Sequence, residues 1–157
     1  MIEHPTWLKS FADESNKIEG LGPASIAECD ALAVFLALDR VTVADLEAYV
    51  SVVAPGHRLR RSEGLNVRVG DHVAIPGGPA VEHRLEELLA LLSSESPYQN
   101  HVSYELLHPF TDGNGRSGRA LWLWQHSTRK TGHGYLRAQS LGFLHSFYYE
   151  ALSASGH

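Results

Sequence analysis

Apolar residues recur every three to four positions along most of this chain, which is the spacing of one face of an α-helix. The pattern predicts seven helices, at residues 5–18, 23–38, 43–53, 81–93, 98–107, 116–130 and 138–154. Thr42 is a good N-cap for the third helix, and the segment 31–38 is apolar almost all round, as in a central buried helix. We therefore expect an all-α fold, with 157 residues forming one domain around one core.

One segment departs from the helical spacing. Between residues 64 and 76, apolar positions alternate with polar ones on either side of Gly70-Asp71. This alternation predicts a β-hairpin with a two-residue turn. Because a two-stranded hairpin buries little surface by itself, we expect it to lie over a surface or groove of the helical body.

Most of the candidate chemistry is concentrated in residues 108–119, HPFTDGNGRSGR. The proline after His108 disfavours helical geometry, so a helix should end there and present the imidazole at its C-terminus. The glycine loop at 113–115 opens a new helix, whose N-terminal amides attract anions. Arg116 and Arg119 share a face of its first turn, where the helix dipole disfavours cations, so an anion should compensate them. Together these residues predict a polyphosphate site.

This run resembles the signature of the Fic family, HPFx(D/E)GNGRxxR, at every specified position. Fic proteins mostly transfer AMP from ATP to a hydroxyl side chain of a target protein, and the resemblance implies a single Fic domain over residues 1–157. It implies that His108 is the general base and that Asp112 holds Mg²⁺ on the phosphates of ATP. It also implies that the phosphates are cradled by Gly113, Asn114 and Gly115. The outer phosphates would be bound by Arg116 and Arg119.

A second motif, SNKIEG at residues 15–20, fits the inhibitory pattern of the family, (S/T)xxxE(G/N). On a helix, Ser15 and Glu19 share a face. The resemblance implies that Glu19 pairs with Arg119 and occupies the space of the γ-phosphate, so that ATP binds in an unreactive pose. The inhibitory helix, at about 5–20, precedes the catalytic motif, which is typical of self-inhibited members with an N-terminal inhibitory segment.

Two further contacts follow from the resemblance. The hairpin would be the flap of the family, which pairs with an extended segment of the target and brings its hydroxyl to the histidine. The candidate docking residues are Asn66, Val67, Arg68 and Val69. Tyrosines close to the end of the chain often line the adenine site in this family, which makes Tyr148 and Tyr149 candidates for that pocket.

Composition narrows the choice of partners and compartment. A net charge of −5 argues against general affinity for nucleic acids or anionic membranes. No segment approaches transmembrane length and no signal peptide is visible, while a single cysteine, Cys29, excludes an internal disulfide. We therefore expect a cytoplasmic protein with Cys29 in its core. The ten histidines form no pattern with zinc-ligand spacing, so we expect no zinc site.

Several alternatives stay open at this point. Glu19 could position a water, in which case the protein would remove AMP from a modified target. The site could also sense nucleotide without catalysis, or accept UTP or GTP, because the motif contacts phosphates rather than bases. The oligomeric state is open as well. The basic segment 58–61, which precedes the hairpin, could touch a partner, but it is interpreted as a solvated turn.

Overall fold

The computed structural model describes residues 3–128. In chain order, the elements are α1 Thr6–Ile18, α2 Ile26–Leu36, α3 Val43–Val53, β1 Arg68–Val69, β2 His72–Val73, α4 Pro79–Ala90, α5 Pro97–Leu107 and α6 Asn114–Thr128. The fold is therefore all-α with a small β-hairpin, as the sequence predicts. Within this part of the chain, no helix is both long and apolar enough to cross a membrane.

Capping boxes mark where two of the helices begin. Thr42 caps α3, as predicted, and forms a capping box in which Thr42 and Asp45 satisfy each other's backbone N–H groups. Ser25 and Glu28 form the same arrangement at α2, which therefore begins three residues later than predicted. The capping residues thus correct a boundary that hydrophobic spacing alone placed too early.

Other predicted boundaries also shift by a few residues. The fourth helix begins at Pro79, because proline suits the first turn, and it ends at Ala90 instead of residue 93. The sixth begins at Asn114, two residues before the predicted start. Its predicted last two residues and the predicted seventh helix at 138–154 lie outside the described residues.

The central element of the described fold is α6. It contacts α1, α2, α3 and α5, and its residues 114–125 are all buried. The expectation that segment 31–38 forms the central buried helix is wrong, because α2 ends at Leu36 and Val34 is 66% exposed. Only Cys29, Leu32 and Phe35 of α2 are buried, at a spacing of three residues, so α2 packs through one face. Cys29 lies in the core as predicted, and burial raises the pKa of its thiol.

The hairpin has the predicted turn at Gly70-Asp71. Arg68 pairs with Val73 and Val69 with His72 in antiparallel register. Nε2 of His72 donates to the carbonyl of Leu106, at 2.9 Å, which docks the hairpin on the C-terminal turn of α5. This places the hairpin next to the residue that follows α5, His108.

Candidate active site

His108 is the C-cap of α5, as the sequence predicts. Its backbone is left-handed, with φ 50°, and its N–H donates to the carbonyl of Tyr104 at 2.9 Å. The ring Nδ1 lies 3.2 Å from the carbonyl oxygen of Glu105. Since a carbonyl only accepts, this hydrogen bond requires the proton on Nδ1 and leaves a lone pair on Nε2. The imidazole is therefore held in the tautomer that a general base needs.

The pKa of His108 is lowered from its ordinary value of 6.5. Burial is the largest cause, and the charges of Arg60 and His72 act in the same direction. The hydrogen bond to Glu105 and the charge of Glu19 oppose the shift. Because the net effect is downward, the ring is neutral at pH 7 and able to accept a proton.

The loop after His108 is fixed on two sides. Phe110 forms an antiparallel bridge with Leu59, and the side chain of Asn114 contacts the backbone of Phe110. Oδ1 of Asn114 accepts from the N–H of Phe110 and Nδ2 donates to its carbonyl, both at 2.8 Å. The amide side chain of Asn114 thus holds the loop closed. In the predicted phosphate cradle, Asn114 would therefore act through its main chain.

Asp112 lies at the outer edge of this loop, with its side chain 59% exposed. Its Oδ1 accepts from the N–H of Gly113 at 2.8 Å, and its Oδ2 is 3.8 Å from Nε2 of His57. No cluster of three or more potential ligands among residues 3–128 could hold a metal by itself. Mg²⁺ commonly binds one or two carboxylates together with phosphate oxygens, so an anchored, accessible carboxylate beside the predicted phosphate site fits this ion. His57 is a neighbour of the site that no sequence motif marks.

The N-terminal turn of α6 lies against the carboxylate of Glu19. The first N–H groups of a helix have no partners within it, and they lie at the positive end of the helix dipole. A Cβ built on Gly115 would overlap Oε1 of Glu19 and lie 3.0 Å from Nη1 of Arg119. The missing side chain of Gly115 therefore makes room for a carboxylate, and equally for a phosphate oxygen, against the helix.

Glu19 and Ser15 both contact Arg119. Nη2 of Arg119 donates to Oε1 of Glu19 at 2.8 Å and to the carbonyl of Ser15 at 3.0 Å. Its Nε donates to Oγ of Ser15 at 2.8 Å. The Arg119 side chain is wholly buried, whereas that of Glu19 is 34% exposed. The structure thus brings Ser15 and Glu19 of the inhibitory motif together with Arg119 of the motif at 108–119.

Glu19 is held in place by the way α1 ends. It is the C-cap, and the N–H groups of Gly20 and Leu21 bond back to the last turn as a Schellman motif, with Gly20 at φ 73°. The side chain of Asn16 donates to Oε2 of Glu28 at 3.1 Å, which ties this turn to α2. The carboxylate of Glu19 is therefore presented by an anchored helix end.

Arg116 takes a different direction from Arg119. Its Nη1 donates to the carbonyl of Val53, the last residue of α3, and its side chain is buried. The expectation that both arginines lie in the first turn of the helix is wrong, although their spacing of three residues does place them on one side of α6. Since α6 begins at Asn114, Arg119 lies in its second turn, and the two guanidinium groups contact different helices. The C-terminal carbonyls of α3 are a favourable place for a cation.

The four candidate docking residues of the hairpin divide into two pairs. Asn66 and Arg68 are exposed, whereas Val67 and Val69 are partly buried. Oδ1 of Asn66 accepts from the N–H of Gly77 at 2.9 Å, so this side chain closes the base of the hairpin. The two candidates for the adenine pocket, Tyr148 and Tyr149, lie outside the described residues.

The interpretation of segment 58–61 as a solvated turn is wrong for Leu59 and Arg60, which are both buried. Arg60 has no exposed surface. Its guanidinium donates to the main-chain carbonyls of Leu65, Ile75, Leu107 and His108. Sequence reasoning missed this residue because Arg60 is buried while the adjacent Arg61, with the same side chain, lies on the surface. No local pattern distinguishes the two arginines.

The sequence profile of the Fic/DOC family matches residues 34–125, which is more than half of the chain. The protein therefore belongs to the Fic/DOC family, whose members are known for nucleotide transfer. The matched range contains the hairpin and the motif at 108–119, whereas Ser15 and Glu19 precede it. No curated protein matches the chain.

Proposed function

We propose that this protein transfers AMP from ATP to a Ser, Thr or Tyr hydroxyl of a target protein and that Glu19 inhibits this activity. The observation that carries the proposal is the position of the Glu19 carboxylate. The carboxylate of Glu19 lies against Gly115, at the N-terminus of α6, and is bonded to Arg119. This is a site built for a negatively charged group beside a neutral, oriented histidine, which is the combination that adenylyl transfer requires.

The chemical step assigns each bond to a group of the site. The target hydroxyl oxygen attacks the α-phosphorus of ATP while Nε2 of His108 takes up the hydroxyl proton. The bond between the α-phosphorus and the oxygen bridging to the β-phosphate breaks, and pyrophosphate leaves. The amides at the start of α6 face the charge that develops on the phosphates. A positioned base contributes roughly 10²- to 10⁴-fold to such a step.

Asp112 is the residue that would hold Mg²⁺ in this reaction. When bound, the ion would neutralise charge on the phosphate oxygens. The protein's own part is to present one accessible carboxylate, and the bond from Gly113 to Oδ1 keeps that carboxylate beside the loop.

Inhibition follows from competition for Arg119. While Glu19 bonds to Nη2 of Arg119 and lies over Gly115, the outer phosphates of ATP cannot occupy the same space. ATP then binds in a pose in which the α-phosphorus is not in line with the incoming hydroxyl. A difference of a few kcal/mol between the two arrangements keeps the enzyme mostly inactive.

The experiment compares ATP labelled at the α-phosphate with ATP labelled at the γ-phosphate, using a cell lysate as the source of targets. The variants are Glu19→Ala, which removes the competing anion, and Glu19→Ala with His108→Ala, which also removes the base. The expected result is α-label above that of the lysate alone, lost in the double variant, with no matching increase in γ-label. Because kinases in the lysate transfer the γ-phosphate by themselves, only γ-label above that of the lysate alone would indicate phosphoryl transfer instead. No increase in label from either position, despite ATP binding in calorimetry, would favour a nucleotide sensor.

A second candidate activity is hydrolytic removal of AMP from a modified target. It is favoured by the position of Glu19, whose partly exposed carboxylate is near enough to His108 for its charge to oppose the lowering of the His108 pKa, and could orient a water there. The two activities make opposite predictions, because Glu19→Ala would accelerate transfer and abolish removal. Incubation of a labelled, AMP-modified target with the unmodified protein and with Glu19→Ala separates the two activities.

A further inference from the structure

Arg60 links the histidine to the hairpin by hydrogen bonds to four carbonyls. Its Nε donates to His108 at 2.7 Å and its Nη2 to Leu107 at 2.9 Å. Its Nη1 donates to Leu65 at 3.1 Å and to Ile75 at 2.7 Å. The first two carbonyls belong to the end of α5, and the last two flank the hairpin on its two sides. One buried guanidinium therefore holds three separate stretches of chain.

The main chain of Arg60 adds two bonds to the same arrangement. Its N–H donates to the carbonyl of Pro109, directly after His108, and its carbonyl accepts from the N–H of Gly78, just after the hairpin, both at 2.9 Å. Backbone and side chain thus connect the same two regions. A shift of the hairpin relative to the histidine would break several of these bonds together.

We propose that Arg60 is a positioning residue that fixes the hairpin relative to His108, so that a hydroxyl delivered along the hairpin arrives within reach of Nε2. The proposal rests on the transfer function proposed above. Arg60 touches neither Glu19 nor Arg119 in the described contacts of its side chain, so it acts on the approach of the target and not on the phosphates. Misplacement of reacting groups by about 1 Å can reduce a rate roughly 10²-fold.

Arginine suits this role better than lysine. Its planar fork presents donors in several fixed directions, whereas an ammonium group at the end of a flexible chain cannot reach four carbonyls on two sides. Arg61 is a matched comparison one residue away. Its guanidinium bonds to the carboxylates of Glu47 and Glu82 on the surface, at 2.7 to 3.0 Å, and to no part of the site.

The first test measures hydrogen exchange, which does not depend on enzymatic activity. The reporting amides are that of Ala74, bonded across the hairpin to Val67, and that of His108, bonded to Tyr104. Arg60→Lys and Arg60→Met should each accelerate exchange at both amides by about tenfold or more, with little change in α1 to α3. Arg61→Met should accelerate neither.

The second test measures kinetics in the Glu19→Ala background. With Arg60→Met, kcat should fall by about tenfold or more while KM for ATP stays within about twofold, and Arg60→Lys should recover part of the loss. If Arg60→Met leaves kcat unchanged, or raises KM for ATP equally, the positioning role is wrong. The parent Glu19→Ala protein separates the two proposals, because failure of that protein to transfer AMP refutes the function alone.

The hydrogen-exchange test decides on the positioning role of Arg60 independently of the kinetic test. Acceleration at Ala74 without His108, at His108 without Ala74, or equally throughout the protein would overturn the positioning role. The last result would mean that Arg60 only stabilises the fold. Acceleration confined to the two regions together supports the proposal whether or not the parent protein is an AMP transferase.

Discussion

Oε1 of Glu19 lies 2.8 Å from Nη2 of Arg119, although the two residues are 100 positions apart in the chain. Arg119 is wholly buried and Glu19 is partly exposed, so the contact is closed on one side and accessible on the other. A phosphate that replaces the carboxylate needs to displace only the accessible partner. The contact therefore has the asymmetry expected of a competitor for a nucleotide site.

Removal of this competitor should increase the stabilisation by ATP. With Glu19→Ala, ATP and Mg²⁺ should raise the melting temperature by a few degrees more than they raise that of the unmodified protein. A tenfold tighter Kd corresponds to about 1.4 kcal/mol of additional stabilisation at saturating ATP. Thermal melting at a fixed ATP concentration measures this difference. Equal shifts in both proteins would show that Glu19 and the phosphates do not compete.

The transfer rate should depend on the neutral form of His108. Because burial lowers the pKa of His108 from 6.5, the rate of the Glu19→Ala protein should be near its maximum at pH 8 and reach half of that maximum below pH 6.5. Removal of Glu19, whose charge raises this pKa, should move the fall further toward acid. A pH–rate profile at saturating ATP measures it. A half-maximal rate above pH 6.5 is incompatible with this assignment.

The stability of the protein should decrease in mild acid because of His101. Burial lowers the pKa of His101 to about 4, with a smaller contribution from the charge of Arg119, while the hydrogen bond from Nδ1 to the carbonyl of Gly118, at 3.4 Å, opposes the shift. As the pH falls below 6.5, the unfolded state takes up a proton before the folded state does. Stability is therefore lost progressively between pH 6.5 and 4, by about 2 kcal/mol at pH 5.

Urea denaturation at pH 7.5 and pH 5 measures this loss. His101→Asn keeps an amide donor near the position of Nδ1 and removes the titration, so its stability should change less between the two pH values. An equal loss in both proteins would assign the acid sensitivity to other groups.

Close packing between α5 and α6 should make Gly118 intolerant of a side chain. A Cβ at Gly118 would overlap Oε1 of Glu105 and lie 3.0 Å from Cδ1 of Tyr104, both buried. Gly118→Ala should therefore lower the free energy of unfolding by about 1 to 3 kcal/mol, although alanine gains roughly 1 kcal/mol in an unobstructed helix. Gly22→Ala, with nothing within 4 Å, is the control and should change little. Equal urea midpoints for the two variants would contradict the clash.

The sequence predicted elements whose signals are local. Thr42 caps a helix through its neighbours, and Gly70-Asp71 turns a hairpin through its own backbone preferences, so both are legible without the rest of the chain. The proximity of Glu19 to Arg119 could be expected only from the resemblance to the family, since no local rule relates residues so far apart. Arg60 could not be found, because its carbonyl partners come from three segments. The exposure of Val34 was missed for a similar reason, since an apolar helix does not show which of its faces is buried.

The most direct test of the account is the rate of AMP transfer from α-labelled ATP by the unmodified protein, Glu19→Ala and Glu14→Ala. Glu14 is in the same helix but faces another side of it, so its replacement controls for the loss of a charge from α1. The account predicts that Glu19→Ala transfers AMP about tenfold faster or more, with Glu14→Ala equal to the unmodified protein. Equal rates for all three proteins, with measurable transfer, would contradict the claim that Glu19 inhibits this site.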